Sequence, residues 1–194
     1  IGQLLNLSSL GSVAGVSHTT VRQWLNVLEM SYIVFQLRPY HANIRKRLVR
    51  SPKLYFYDVG LASYLMGIEH ADQIATHPLR GFLFENAVIA ETLKHRFNRG
   101  RQSNVSFYRD AQGLECDLLY ATGYGYGAIE IKSGATVSSD YFVGLNRVAD
   151  LVPEVSAKAV VYGGARGQKR SDAEVVTMNG LPGLLSRFDS GVSA

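Results

Sequence analysis

The stretch GLECDLLYATGYGYGAIEIKSG, Gly113–Gly134, decides how this 194-residue chain is read. Its flanks, LECDLLYA and AIEIKSG, are apolar and partly β-branched and read as strands, with the glycine-rich GYGYG between them as a loop. Yet they carry three carboxylates, Glu115, Asp117 and Glu130, and a lysine, Lys132. Charged side chains are rarely buried unless they are paired or bind a cation. Period-two alternation puts Glu115, Asp117 and Leu119 on one face of the first strand, and Leu114, Cys116 and Leu118 on the other. In the second strand Ala128, Glu130 and Lys132 share a face, opposite Ile129 and Ile131. A hairpin through the loop brings Asp117 and Glu130 together, with Lys132 one pleat further. Carboxylates crowded in a weakly polarisable place repel one another, and a divalent cation resolves that repulsion. Mg²⁺ takes one or two carboxylates, completed by water and phosphate oxygens. A nearby lysine orients or activates a bound water and offsets charge on a phosphoryl group.

Around this core the second half of the chain has a regular order. RGFLFENAVIAETLKHRF precedes it as an apolar helix in which Glu85 stands against the pattern. VSFYRD is a strand leading into the hairpin. DYFVGLNRVADLV has amphipathic helical spacing through Tyr141, Leu145, Val148 and Leu151. AKAVVYGG and EVVTMNG are strands, and LPGLLSRF is a closing helix with Pro182 near its start. The order α-β-β-β-α-β-β-α predicts an α/β (α+β) unit with a mixed central sheet flanked by helices.

The first half reads as short helices and a β-pair. Ser8 or Ser9 caps a short apolar turn that Gly15 breaks, and Ser17 caps HTTVRQWLNVLEM. Val21, Trp24, Leu25 and Leu28 form one face of that second helix; Thr19, Thr20, Arg22, Gln23 and Asn26 lie elsewhere on it, and are residue types that reach phosphates and base edges. YIVFQLRPY and KLYFYDVG are strands on either side of the basic HANIRKRLVRSP. From Arg38 to Lys53 the chain carries Arg38, Arg45, Lys46, Arg47, Arg50 and Lys53 with no acid among them, a patch suited to phosphates. This sequence of elements resembles a winged helix-turn-helix over residues 1–68, with Arg45, Lys46 and Arg47 in the wing. Residues 69–79 read as a linker, and 80–194 as the second domain.

Formal net charge is +4. A single cysteine, Cys116, excludes an internal disulfide and a cysteine-rich zinc site, and fits a reducing cytoplasm. The five histidines show no paired metal-ligand spacing. No run of eighteen apolar residues suggests a membrane span, and no secretory leader pattern is visible. The first residue, Ile1, is not methionine, so the chain is expected to be a piece of a longer protein.

A helix glutamate, a strand aspartate and then Glu-x-Lys resembles the PD-(D/E)xK nuclease superfamily, with Glu85, Asp117, Glu130 and Lys132 in the matching places. Cys116 stands where the motif has proline. The resemblance implies a restriction-endonuclease-like αβββαβ domain, catalytic roles for those four residues, and Mg²⁺ (or Mn²⁺) held by Asp117, Glu130 and Glu85. Over nearly its whole length the chain is similar to the C-terminal region of prokaryotic AAA-type ATPases, through RGFLFENAVIAETLK, FYRDAQGLECDLL and AIEIKSG. That implies DNA and the protein's own upstream ATPase module as partners, with DNA contacts from Thr19, Thr20, Arg22, Gln23, Arg45, Lys46 and Arg47. ATP would belong to the upstream module: GGARGQK lacks the P-loop glycine spacing and GYGYGA lacks the third glycine of a dinucleotide loop. A non-catalytic DNA- or partner-binding module with an inherited carboxylate cluster is the other reading, and oligomeric state stays open.

Overall fold

A computed structural model describes residues 1–41, 48–170 and 173–191. Helix α1 (Leu7–Ala14) is capped by Asn6, whose side chain accepts from Ser9 N, so the cap lies ahead of the expected serines. It ends at Gly15, which adopts the left-handed conformation (φ 68°) that glycine takes without penalty. Helix α2 (His18–Met30) starts at Ser17, whose hydroxyl accepts the Thr20 amide at 3.1 Å. Val21 and Leu25 are buried as the spacing predicts, but Trp24 is 51% exposed. Trp24 lies at the edge of the apolar stripe, and no later element among the described residues covers that edge fully.

Strands β1 (Val34–Leu37) and β2 (Lys53–Phe56) form an antiparallel pair with Phe35 opposite Tyr55. Helix α3 (Val59–Leu65) follows. The expected linker holds a short helix, α4 (Ala71–Ile74), before the long α5 (Arg80–Phe97). Then come β3 (Val105–Arg109), β4 (Glu115–Thr122), β5 (Gly125–Lys132), α6 (Asp140–Leu151), β6 (Val155–Tyr162), β7 (Gln168–Lys169), β8 (Glu174–Thr177) and α7 (Leu181–Ser190). The six-stranded sheet has the order β3-β4-β5-β6-β8-β7. Its β3-β4-β5 meander is antiparallel, whereas β5-β6 and β6-β8 are parallel, so the α/β class with a mixed sheet holds. The expected glycine loop is tighter than its composition suggested: Thr122 already pairs with Gly125, leaving Gly123 and Tyr124 as a two-residue turn.

The sheet has a packed face on each side. One carries Leu118, Tyr120, Ile129, Ile131 and Val161 under α5 and α7; the other carries Leu119, Ala128, Val160 and Val175 under Phe142, Leu145 and Val148 of α6. Phe35, Leu37 and Tyr55 of the β1-β2 pair belong to the first of these cores. The first segment is therefore seated on the sheet, not hung from it. Backbone pairing does the same at the sheet edge, where Tyr40 N donates to Phe107 O at 2.7 Å and Val49 N to Arg109 O at 3.1 Å. These contacts occupy the outer edge of β3, which would otherwise present unpaired amides.

Candidate functional site

Asp117 sits at a β-bulge. Ser106 pairs with Leu119 but Tyr108 pairs with Cys116, so Asp117 and Leu118 together oppose the single residue Phe107. The bulge overrides the expected alternation. Cys116 faces the α6 core with Leu119, while Leu118 faces the α5 core with Tyr120. The β4-β5 ladder also stops at Leu118–Ile129, one step before Asp117 would meet Glu130. There the Asp117 carboxylate takes over the pairing: Oδ2 accepts the Ile131 amide at 2.8 Å. The convergence of Asp117 and Glu130 read from the sequence thus has a specific cause, a register step that turns a carboxylate into the sheet seam.

The other charged groups gather around this seam. Lys132 Nζ lies 2.6 Å from Glu130 Oε1 and 6.0 Å from the ring centre of Tyr141. Glu85 lies in the second turn of α5 and is held by the β1-β2 pair. Its Oε1 accepts from Lys53 Nζ at 3.0 Å and from the Tyr55 hydroxyl at 2.5 Å. Lys53 also lies 2.5 Å from Glu115 Oε1, and Glu115 Oε2 accepts from Arg109 at 2.9 Å. Glu115, which has no counterpart in the nuclease motif, is therefore part of the cluster, and Arg109 is committed to it. Asn86 fixes the geometry from beside Glu85: its amide accepts from Phe56 N at 2.8 Å and donates to Phe56 O at 2.7 Å, clasping β2 to α5.

Lys53 is the largest departure from the sequence reading. Grouped by sequence with the exposed basic stretch, it is only 2% exposed and points into the acids. Burial by itself would lower the ammonium's pKa, but Glu85, Asp117 and Glu115 outweigh it and push the value up to about 12. Lys53 is thus a permanent cation at neutral pH. Tyr55 is pushed upward by burial and then by Glu85, so it stays a neutral hydrogen-bond donor. Asp117 is held well above the usual carboxylate range, first by burial and then by Glu130 and Glu85, against the pull of Lys53 and Lys132. Glu130 is raised too, chiefly by burial, with Lys132 opposing. Lys132 is itself held above its usual range: burial opposes the charge, and Glu130 and Asp117 more than restore it.

A hard divalent cation suits this donor set in part. Glu130 Oε2 is buried with no hydrogen-bond partner, the kind of open oxygen that an ion or water completes. Asp117 and Glu130 supply the one or two carboxylates that Mg²⁺ typically takes. Among the described residues, however, no three His, Cys, Asp or Glu side chains form a ready-made cage. Glu85, expected as a third ligand, is engaged by Lys53 and Tyr55. The arrangement fits a two-carboxylate site, with the remaining positions open to water or substrate oxygens.

The residues expected on DNA are placed less fully. Thr19, Arg22 and Gln23 are exposed on α2, and Thr20 is half-buried with its hydroxyl 2.9 Å from that of Ser17. Arg22 and Arg50 flank an open groove of about 410 Å³ that is also lined by Asn26 and Gln36. Arg45, Lys46 and Arg47 lie outside the described residues. Of the tyrosines in and beside the β4-β5 turn, Tyr120 is buried with its hydroxyl on Asp189, and Tyr126 packs edge-on against Tyr40. Tyr124 is exposed. Lys53, Tyr55 and Asn86 are the site residues that sequence reasoning missed. The one signal was a lysine and a tyrosine on the same face of an otherwise apolar strand.

No helix among the described residues is long and apolar enough to cross a membrane. Residues 1–72 match the domain of unknown function DUF8612. Uncharacterized proteins of Mycobacterium tuberculosis (Rv2008c) and Mycobacterium bovis (Mb2031c) are each 32% identical over 175 residues. That alignment covers 90% of this chain and 38% of each relative, so the chain spans well under half of their length. No solved structure matches. Residues 80–181, which hold Glu85, Asp117, Glu130 and Lys132, match the domain of unknown function DUF4143, and the chain belongs to that family, whose domain is found at the C-terminus of AAA-ATPase-like proteins.

Proposed function

We propose that this chain is the C-terminal, DNA-directed module of an AAA-type ATPase, and that its sheet half is a PD-(D/E)xK-type site for Mg²⁺- or Mn²⁺-dependent cleavage of phosphodiester bonds. The observation that carries this reading is the open, buried Oε2 of Glu130 beside Asp117 at the bulge, with Lys132 2.6 Å from the other Glu130 oxygen. Asp117 and Glu130 would hold the ion. A bound divalent ion supplies a Lewis acid and a water of lowered pKa. Lys132 is 38% exposed at its side chain, free enough to swing from Glu130 to a phosphate oxygen and offset charge there. Glu85 acts at one remove, through Lys53. The first 68 residues serve as a winged helix-turn-helix that presents Thr19, Thr20, Arg22 and Gln23 with the wing cations Arg45, Lys46 and Arg47. ATP hydrolysis belongs to the part of the longer protein that precedes this region, in the cytoplasm.

The test is nicking of supercoiled DNA by the purified chain in Mg²⁺ or Mn²⁺. Cleavage should require the metal and vanish in Asp117→Ala and in Lys132→Ala. Cleavage of equal strength in both variants would identify a contaminant and end the nuclease reading.

One observation favours a second reading, a non-catalytic module that positions the ATPase. On α2 the face that carries Gln23 also exposes Trp24 (51%), Val27 (61%) and Met30 (81%), side chains better suited to a protein surface than to phosphates. Replacing Arg45, Lys46 and Arg47 by Gln should abolish salt-dependent DNA binding if the wing grips DNA. If DNA binding survives, and Trp24→Ser with Val27→Ser instead releases the ATPase module, the second reading stands in its place.

A further inference from the structure

We propose that Lys53 is the resident cation of the carboxylate site, and that its ammonium and a divalent ion compete for the same negative field. This rests on the metal-site reading above and adds the residue that sets the site's affinity. Lys53 comes from β2, not from the sheet that holds Asp117 and Glu130. Its side chain is 3% exposed and is pinned on several sides: 3.0 Å from Glu85 Oε1, 2.5 Å from Glu115 Oε1, and 5.4 Å from the ring centre of Phe107. Phe107 is the residue that faces Asp117 and Leu118 across the bulge. Lys132, by contrast, is a half-exposed lysine with one carboxylate partner.

The charge arithmetic explains why such a lysine is needed. Glu85, Glu115, Asp117 and Glu130 bring four carboxyl groups to one end of the sheet, and among the described cations there only Lys53 is buried. A buried ammonium holds the acids together when no ion is bound. The same ammonium raises the electrostatic cost of a second, doubly charged cation a few ångströms away. Glu85 and Glu115 are thereby held on Lys53.

Position on β2 gives the lysine a second property. Asn86 clasps the Phe56 backbone with two hydrogen bonds, and Gly2 N donates to Leu54 O at 3.0 Å, so Lys53 is held only as firmly as the β1-β2 pair is seated. Whatever loosens that pair withdraws the resident cation and strengthens divalent-cation binding. The first segment, which carries the groove between Arg22 and Arg50, is thus wired to the acids through β2, by Lys53 on Glu85 and Glu115 and by the Tyr55 hydroxyl on Glu85.

Mn²⁺ titration of this chain by calorimetry, with thermal unfolding in Mn²⁺ or in chelator as a second readout, tests the exchange. Lys53→Met should bind Mn²⁺ on the order of tenfold more tightly than the unsubstituted chain. The gain should disappear when Asp117→Asn is added, and Asn86→Ala should tighten binding in the same direction. Equal or weaker binding by Lys53→Met overturns the exchange while leaving the metal site standing. Binding by neither protein ends the metal reading, and the exchange falls with it. If Lys53→Met folds only in Mn²⁺, the ion has replaced the lysine and the proposal holds; if it folds in neither, Lys53 is a purely structural ion-pair partner and the proposal fails.

Discussion

Two charged clusters lie at opposite ends of α5, and they are built on opposite plans. Near its start, Glu85 joins Glu115, Asp117 and Glu130, faced by Lys53, Lys132 and Arg109. Near its end, one carboxylate, Asp189 of α7, is surrounded by donors. Tyr120 OH donates to Oδ1 at 2.8 Å, Arg101 lies 3.3 Å from Oδ2, and Arg96 and His95 approach at 3.5 Å. Burial first, and then Arg99, hold the His95 imidazole below its usual range, so it adds no further charge at neutral pH. In the second cluster both Asp189 oxygens are taken. In the first, acids exceed cations and one buried oxygen of Glu130 is left open. His95 Nε2 is buried without a hydrogen-bond partner, so the contrast lies in the carboxylates: one whose two oxygens are both engaged reads as a structural lock, and one left with an open oxygen in an acid-rich setting as a place kept for a ligand.

The largest expected effect tests the lock. Asp189→Ala strands the buried Tyr120 hydroxyl and leaves Arg96 without its carboxylate, removing the tie between α7 and the end of α5. Breaking one partner out of such a network costs on the order of 3 kcal/mol. Urea unfolding should register that loss, and Mn²⁺ affinity should not move. A loss below about 1 kcal/mol, or a change in Mn²⁺ binding, would erase the distinction between the two clusters.

A smaller effect tests the open cluster through its resident lysine. The pKa of Lys53 in the folded chain is raised from 10.5 to about 12, so the ammonium binds its proton more tightly folded than unfolded. Its contribution is therefore complete below the unfolded value and lost as pH rises through the folded one, a difference of about 2 kcal/mol. Stability of the unsubstituted chain relative to Lys53→Met should stay level from pH 7 to about 10 and then narrow by that amount toward pH 12. A difference that stays level across the alkaline range would mean that the acids do not hold the ammonium.

The two clusters were not equally legible in the sequence, and neither was the site within the first. Helices and strands of the second half follow from apolar periodicity, and the order of elements agrees with the α-β-β-β-α-β-β-α reading except for the added two-residue strand β7, too short and too polar to show a pattern. Asp117, Glu130 and Lys132 stood out because charge is costly in an apolar strand, and because a hairpin makes near neighbours of residues on its two arms. The bulge did not show, since an extra residue in a ladder leaves no mark in composition; no glycine accompanies it at Asp117–Leu118. Lys53 and Tyr55 were hidden for a different reason. They come from a strand more than sixty residues before Asp117, and only the seating of β2 on α5 by Asn86 brings them to Glu85. The Asp189 lock was equally invisible, because α7 reaches back to residues at the far end of α5. Trp24 fitted the helical stripe but is left 51% exposed.

The smallest and most diagnostic effect is expected at Asp117. Burial and the neighbouring Glu130 and Glu85 hold its proton more tightly in the folded chain than in the unfolded one. The unfolded aspartate loses its proton near pH 4, whereas the folded pair with Glu130 keeps it to higher pH. Between those points the native state binds more protons, so stability falls as pH rises through the window. Asp117→Asn removes that titration yet preserves an oxygen to accept the Ile131 amide. The variant should gain little at pH 4 and more at pH 7, a gain held down because Lys53 and Lys132 already offset part of the buried charge. Urea unfolding at the two pH values measures the difference, and the same protein should no longer bind Mn²⁺. A carboxylate whose removal stabilises the fold and abolishes cation binding is one held in place for its ligand, whereas a variant that is destabilised at both pH values would move Asp117 into the class of the Asp189 lock.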